Sequence, residues 1–381
     1  MGDTMSLSNS DWKEYKLEDI ILFQRGHDLP KTEMLAGKYP VAGSNGVIGY
    51  HNNFTTKGPG VTIGRSGNIG NPQYYESDYW AHNTVLYVKE FRNATPEFIY
   101  YFLLTLDFTQ FNAGSAVPTL NRNHIHDLRM RFPEIPEQQS IASILSSLDD
   151  KIDLLHRQNK TLEQLAETLF RQWFVLRQAQ HPGADESWEE KTINDVCLKI
   201  NSGGTPSTKI SEYYNGSINW YSTKELNDNF LFESVSKITE TGLENSSAKL
   251  FPENTIVIAI YAAPTVGRLG ILANEASFNQ AACGFITDED KICFEYLYLY
   301  LLSSRQKLND MASGSAQQNL NVTIMKDFPI IQPTLEIMIG FRNLVRPIFR
   351  KIKENSNQIR TLTQLRDTLL PKLMSGEVRV K

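Results

Sequence analysis

Residues 137–174, EQQSIASILSSLDDKIDLLHRQNKTLEQLAETLFRQWF, decide the fold. Ile141, Leu145, Leu148, Ile152, Leu155, Asn159, Leu162, Ala166, Leu169 and Trp173 recur in alternating steps of four and three. That spacing places them on one stripe of a helix. A single amphipathic helix packed on its own domain would show the same stripe. This one persists for more than four heptads, about 48 Å of helix. It also recurs two hundred residues on, as Phe341, Val345, Ile348, Ile352, Asn355, Ile359, Leu362, Arg366, Leu369 and Leu373.

Each stripe carries one asparagine. Folding the two helices antiparallel about residues near 157 and 357 sets position 159 opposite position 355. A buried Asn159–Asn355 pair would cost stability and fix register. The same register sets Leu148 against Arg366, an awkward layer. Pro347 cannot continue a helix without losing a hydrogen bond. It is expected as the first residue of the second long helix, with Phe341 and Val345 on a short helix ahead of it. Gly376 is the expected stop.

The rest of the chain is also duplicated. Trp12, Glu14, Leu17, Asp19 and Ile20 return as Trp188, Glu190, Ile193, Asp195 and Val196. Gly114-Ser115-Ala116, Leu120-Asn121 and Asp127 return as Gly314-Ser315-Ala316, Leu320-Asn321 and Asp327. Two tandem copies of a globular segment plus a long helix follow. The segments are 1–136, the helix 137–180, a second globular segment 181–333 opening on a linker at 181–187, and a second helix 334–381. Copy one is the shorter, and the difference is expected as loop insertion. Its strands are expected at Pro40–Tyr50, Gly60–Ile63 and Thr84–Val88, separated by Ser-Asn-Gly, Gly-Pro-Gly and Ser-Gly-Asn turns, with a helix over Pro96–Phe108. Copy two repeats the order, with strands near Ser217–Tyr221, Thr255–Ile260, Arg268–Leu272 and Cys283–Ile286 and a helix over Phe294–Leu308. The class is α+β: two globular domains in tandem, each followed by a long helix, the helices packed as an antiparallel, pseudo-twofold coiled coil.

The net charge of −5 is unevenly spread. Residues 185–333 hold 11 basic and 19 acidic side chains, and residues 334–381 hold 10 and 4. Neither globular segment is basic in bulk, so nucleic-acid binding would rest on local loops and on partners. The three cysteines lack metal spacing and are expected as structural thiols in a reducing compartment. No apolar run is long enough to span a membrane, and no signal-peptide pattern opens the chain, so a cytoplasmic protein is expected.

Catalytic motifs are missing. There is no Gly-x-Ser-x-Gly elbow and no His-Glu-x-x-His. Gly64, Gly67 and Gly70 do not lead into a helix. Asn71-Pro72-Gln73-Tyr74 resembles a damaged adenine-methylase motif without the Gly-rich turn such a site needs, and is expected as a turn. The histidines are scattered, so no metal site is expected. The loops instead hold side chains able to hydrogen-bond base edges. In copy one these are Gln24, Arg25, Lys31, Ser44, Asn45, Arg65, Ser66, Asn68, Asn121, Arg122 and Asn123. In copy two they are Thr205, Ser207, Lys209, Lys224, Thr265, Arg268, Gln317, Gln318 and Asn319. Singly each suits a turn; the signal is clusters at matching places. Between shared flanks, Ala116-Val117-Pro118-Thr119 stands where Ala316-Gln317-Gln318-Asn319 stands.

This architecture resembles the specificity subunit of type I restriction–modification systems over essentially the whole chain. The telling phrases are Pro136-Glu137-Gln138-Gln139, Leu162-Glu163-Gln164-Leu165-Ala166, Leu169-Phe170-Arg171-Gln172-Trp173-Phe174, Ser202-Gly203-Gly204-Thr205-Pro206-Ser207, Asn279-Gln280-Ala281, and Leu365-Arg366-Asp367-Thr368-Leu369-Leu370-Pro371-Lys372-Leu373. Two phrases depart: Glu336 is followed by Ile337, and copy one has Gln24-Arg25-Gly26 where copy two has Gly-Gly-Thr-Pro. The resemblance implies a non-catalytic reader of double-stranded DNA. Each globular segment would be a target recognition domain for one half of a split, asymmetric site, with the coiled coil as a ruler. The helices would dock two methyltransferase subunits, and endonuclease/translocase subunits would join through them. No cofactor is expected in this chain; S-adenosylmethionine, ATP and Mg2+ would belong to the partners. Two rival readings stand beside it: a coiled-coil scaffold with two protein-binding ends, and a solitary nuclease with a divergent site.

Overall fold

A computed structural model describes residues 12–111, 119–176, 188–261, 265–313 and 319–380. The chain divides into two units, one of residues up to Asp153 plus Thr361 onward, the other Leu154–Arg360. The division cuts both long helices, so each unit holds a globular segment and a portion of each helix.

In the first unit, Ile21–Arg25, Val85–Phe91, Gly60–Gly64 and Gln73–Tyr75 form an antiparallel four-stranded sheet in that order. Gly46–His51, Tyr39–Gly43 and Trp80–Ala81 form a second sheet. Lys13–Lys16 and Arg129–Phe132 make a two-stranded ribbon beside the long helix. The expected Ser-Asn-Gly turn falls inside the Pro40–Tyr50 span and makes it a hairpin, with Gly46 at a left-handed φ of 100° turning the chain. Asn71 and Pro72 are loop, but Gln73 and Tyr74 open an edge strand rather than staying in a turn. The helix Pro96–Leu104 is capped by Thr95, whose hydroxyl accepts from the Phe98 N–H. Phe98, Ile99, Phe102 and Leu103 pack with Ile141 and Leu145 of the first long helix. Each such side chain contributes about 1.5–3 kcal/mol when fully buried.

The second unit repeats this plan. Cys197–Ser202, Ala282–Thr287, Ile256–Ala259 and Leu269–Leu272 form the main sheet, and Phe230–Leu231 adds a parallel fifth strand. Ser236–Ile238, Tyr214–Tyr221 and Ser277–Phe278 form the second sheet. The extra length falls mainly at 222–235 and 239–255, where copy one has 44–45 and 52–59. It is not loop alone, since it includes the strand Phe230–Leu231 and the helix Glu240–Glu244. The helix expected over Phe294–Leu308 is two, Phe294–Ser303 and Arg305–Ser313.

The first long helix spans Ile135–Phe170 and widens into a π-turn over Arg171–Leu176. The second spans Leu335–Met374 without interruption. Pro347 therefore sits inside it, contrary to expectation. Pro347 and Asn343 lie on the exposed face, where water can serve the Asn343 carbonyl that loses its donor. Buried Val345 and Phe349 anchor the helix on either side. The helix ends at Gly376, with φ of 73°.

The helices pack antiparallel in both units. In the second, Asn355 Nδ2 donates to Asn159 Oδ1 at 2.9 Å, with both residues buried. In the first, Arg366 meets the acid beside Leu148: its guanidinium donates to Asp149 Oδ1 at 2.8 Å. The awkward layer is thus an ion pair at the seam's edge, and Leu148 stays half-buried.

The altered Glu-Gln phrase has a structural cause. Gln138, wholly buried, accepts from Thr95 N–H and donates to the Asn93 and Pro133 carbonyls. Its counterpart, Met338, is buried against Cys293, sulfur to sulfur at 3.7 Å. Copy two replaces a polar node with an apolar one, so it does not need the Glu-Gln phrase.

Candidate nucleic-acid interface

The candidate readers gather where the strands of each main sheet end. In copy one, Gly26 N–H donates to Val85 O and His27 N–H to Ala81 O. In copy two, Gly203 N–H donates to Ala282 O and Gly204 N–H to Phe278 O. Gly26 and Gly203 are required by close approach: a Cβ would lie 2.0 Å from the His82 carbonyl oxygen in one and from the Phe278 carbonyl oxygen in the other. Arg65 and Ser66 N–H both donate to Thr84 O, as Ile260 and Tyr261 N–H donate to Ala281 O. Leu120 N–H donates to Arg65 O, and Leu320 N–H to Ile260 O. Gly70 and Gly267 close the loop with left-handed φ of 77° and 80°.

One backbone rim therefore carries two sets of side chains. Arg65-Ser66 stand where Ile260-Tyr261 stand, and His82-Asn83-Thr84 where Asn279-Gln280-Ala281 stand. Asp28 accepts from the Asn83 amide across the rim of copy one. In copy two the Thr205 hydroxyl donates to the Gln280 amide oxygen across the same gap. A carboxylate only accepts, so Asp28 fixes the orientation of the Asn83 amide, whereas at Gln280 it is the amide oxygen that meets the Thr205 hydroxyl. Asn83 keeps its oxygen and one N–H for a ligand, whereas Gln280 keeps both N–H groups. The Asn83 hydrogen bond, with Arg25 beside it at 3.0 Å, holds Asp28 below the usual carboxylate range. Burial holds the His82 imidazole below its ordinary value, and its Nδ1 lies 2.9 Å from Thr84 Oγ1.

Most of the copy-one candidates fall on this rim. Ser44 packs near Gly64 and Gly67, and its carbonyl accepts from Asn71. Arg25, Asn45, Ser66 and Asn68 surround it on the strand ends and turns, and Gln24 is half-buried on the first strand. Arg65 donates to Asn83 O at 3.5 Å. Asn121 caps the helix Arg122–His126, its side-chain oxygen accepting from Asn123 N–H, while Arg122 and Asn123 are exposed. Lys31 is exposed on the short turn Lys31–Glu33, in the connection leaving the rim. In copy two, Thr205 is on the rim, and Ser207 and Lys209 lie on its exposed continuation. Lys224 is exposed on the turn after Tyr214–Tyr221, the counterpart of the Ser44-Asn45 turn. Arg268 is half-buried at the place of Asn71, and Asn319 adjoins Leu320. Thr265 corrects the sequence reading: it is only 8% exposed, and its hydroxyl donates to Tyr261 O within the turn. Gln317 and Gln318 lie outside the described residues. Sequence reasoning missed Asp28, Asn83, Tyr261 and Gln280 as rim residues. Only Gln280 carried a signal, through its phrase; His82-Asn83-Thr84 matches that phrase at no aligned position.

Burial pushes the Cys283 thiol up to about 12. Among the described residues no group of His, Cys, Asp or Glu is placed to hold a metal ion, and no helix is long and apolar enough to cross a membrane.

The family model for the type I restriction modification DNA specificity domain matches residues 9–164 and again residues 185–363. The chain belongs to this family. It is a specificity subunit, a non-catalytic component whose role is DNA sequence recognition. It is 27% identical over 359 residues to the HindI specificity subunit of Haemophilus influenzae, covering 74% of this chain and 77% of that one. It is 29% identical over 332 residues to the MjaIX specificity subunit of Methanocaldococcus jannaschii, covering 79% and 74%. The crystal structure of a type I restriction–modification S subunit from M. genitalium shares the fold, with a TM-score of 0.73 at 16% identity over 98% of this chain and 99% of that one. The double match of the specificity-domain model coincides with the two copies of the rim.

Proposed function

We propose that the two globular units of this specificity subunit read the two halves of a bipartite, asymmetric DNA site. The observation that carries this is the repeated backbone rim with exchanged side chains. A shared frame holds each reader against the duplex, and the exchanged residues would make the half-sites differ. The long helices dock two methyltransferase subunits, one per repeat, and endonuclease/translocase subunits join through them. S-adenosylmethionine, ATP and Mg2+ belong to those partners, which act with this chain in the cytoplasm. The partners also supply cationic surface that this acidic chain lacks.

The test is co-expression with the adjacent methyltransferase subunit, followed by mapping of methylated adenines across the host genome. A single split motif, present only with both proteins, is expected. Absence of methylation from a stable, co-purified complex would overturn the reading in favour of a scaffold.

A further inference from the structure

The hairpin Tyr39–His51 of copy one has no role in the fold that explains its outer surface. Its inner residues, Val41 and Ala42, are fully buried. Its outer strand, Gly46–His51, is the free edge of its sheet and exposes Val47 (49%), Ile48 (42%) and Tyr50 (59%). The ladder pairs Val41 with Gly49 and Ala42 with Val47, so Ile48 is an extra, bulged residue. A bulge re-aims a side chain, and here it lays Ile48 over Gly43, where a Cβ would lie 2.5 Å from Ile48 Cγ2. The tip is Ser44-Asn45-Gly46, which belongs to the reading rim.

Charge is distributed unusually along this ribbon. Residues 39–51, YPVAGSNGVIGYH, contain no Asp, Glu, Lys or Arg. Lys38 flanks its base, with Nζ 5.1 Å from the Tyr39 ring centre, and Lys57 follows in the next connection. Cations at the base of the ribbon suit the flanking phosphates, and an uncharged tip leaves polar and apolar groups to meet base edges. A two-stranded ribbon fits the major groove of B-DNA, where the thymine C5 methyl is the one apolar feature on offer.

We infer that the hairpin Tyr39–His51 is a groove-entering arm whose exposed Val47 and Ile48 read thymine methyl groups in one half-site. Ser44 and Asn45 supply the polar contacts beside them, and Lys38 and Lys57 take the flanking phosphates. The inference rests on the DNA-reading function proposed above. Copy two lacks this arm, because residues 222–235 replace its two-residue turn.

The experiment uses the complex of full-length chain and methyltransferase subunit, with a duplex carrying the motif found by methylation mapping. Each thymine is replaced in turn by deoxyuridine, which removes only the methyl group. Wild-type binding is expected to weaken about threefold to tenfold at one or two thymines of a single half-site, the scale of one buried methyl or two. Val47→Ala or Ile48→Ala should lose a similar factor on the thymine duplex and become indifferent to deoxyuridine there. Both positions are exposed, and circular dichroism of each variant checks that the fold is kept. Equal wild-type affinity for both duplexes at every position overturns the inference, as do variants that keep the thymine preference. A half-site of G·C pairs alone would do the same. Failure of the wild-type complex to bind any motif would instead overturn the proposed function.

Discussion

Asn159 and Asn355 face each other inside the helix seam, amide to amide at 2.9 Å, both within the unit Leu154–Arg360. Asn159 spends its own amide on Ser356 Oγ at 3.0 Å and the Ile352 carbonyl at 3.5 Å. The two amide donors find their acceptors only in this register, while the Asn355 Oδ1 is buried without a hydrogen-bond partner, and such a costly polar layer is what fixes the register of a coiled coil.

Replacing both asparagines by leucine should raise the thermal midpoint, by the equivalent of about 1–3 kcal/mol, because a buried polar layer becomes an apolar one. Replacing Asn159 alone by alanine should lower it by about 1–3 kcal/mol, since the Asn355 amide loses its acceptor while buried. Calorimetry of the three proteins decides; a double variant less stable than wild type would contradict the account.

Glu295 is fully buried and is held by Arg346, with Nε 2.8 Å from Oε1. Glu289 accepts from the same guanidinium at 2.7 Å. Arg346→Met should cost about 2–4 kcal/mol, the lower end of the range for an abandoned buried charge because the arginine is itself partly exposed. Arg346→Met with Glu295→Leu should recover most of that loss. Denaturant titrations of both variants read the difference as a double-mutant cycle.

His126 accepts the Phe23 N–H on Nε2 at 3.0 Å, which requires a neutral imidazole. Burial sets its pKa below the ordinary 6.5. The folded state then binds fewer protons than the unfolded one, so the stability present above pH 6.5 is lost as pH falls below it. His82 works in the same direction. The thermal midpoint should drop between pH 7.5 and 5.5, and His126→Gln should flatten that slope. An unchanged slope in the variant would assign the drop to other groups.

Asn83 and Gln280 occupy one place in the two rims. Asn83→Ala and Gln280→Ala should each weaken recognition of a single, different half-site, by about 1–3 kcal/mol. Methylation kinetics on duplexes altered in one half at a time provide the measurement. A variant that disturbs both halves equally would show that its residue positions the chain rather than reads it.

The repeat, the presence of two long helices and their antiparallel register were legible in the sequence, because these depend on periodicities of three and four that every residue in the stripe repeats. Asn159 and Asn355 could be matched without coordinates, since a coiled coil is a one-dimensional problem. The strands of copy one were legible in outline, and so was the Ser-Asn-Gly turn, because Asn-Gly between strand-like residues marks a left-handed turn; which strands pair across it was left to the fold. Pro347 misled, since the cost of a helical proline depends on whether water reaches the freed carbonyl. The rim was legible only in part. Arg25, Ser44 and Arg65 stood out as polar loop residues, whereas Asp28 and Asn83 lie 55 positions apart and meet only when the sheet closes. Thr265 looked like a reader and is a buried turn residue for the same reason. Local pattern sets which elements form. Only the tertiary fold decides which loop side chains share an edge, because that edge is assembled from strands far apart in the chain.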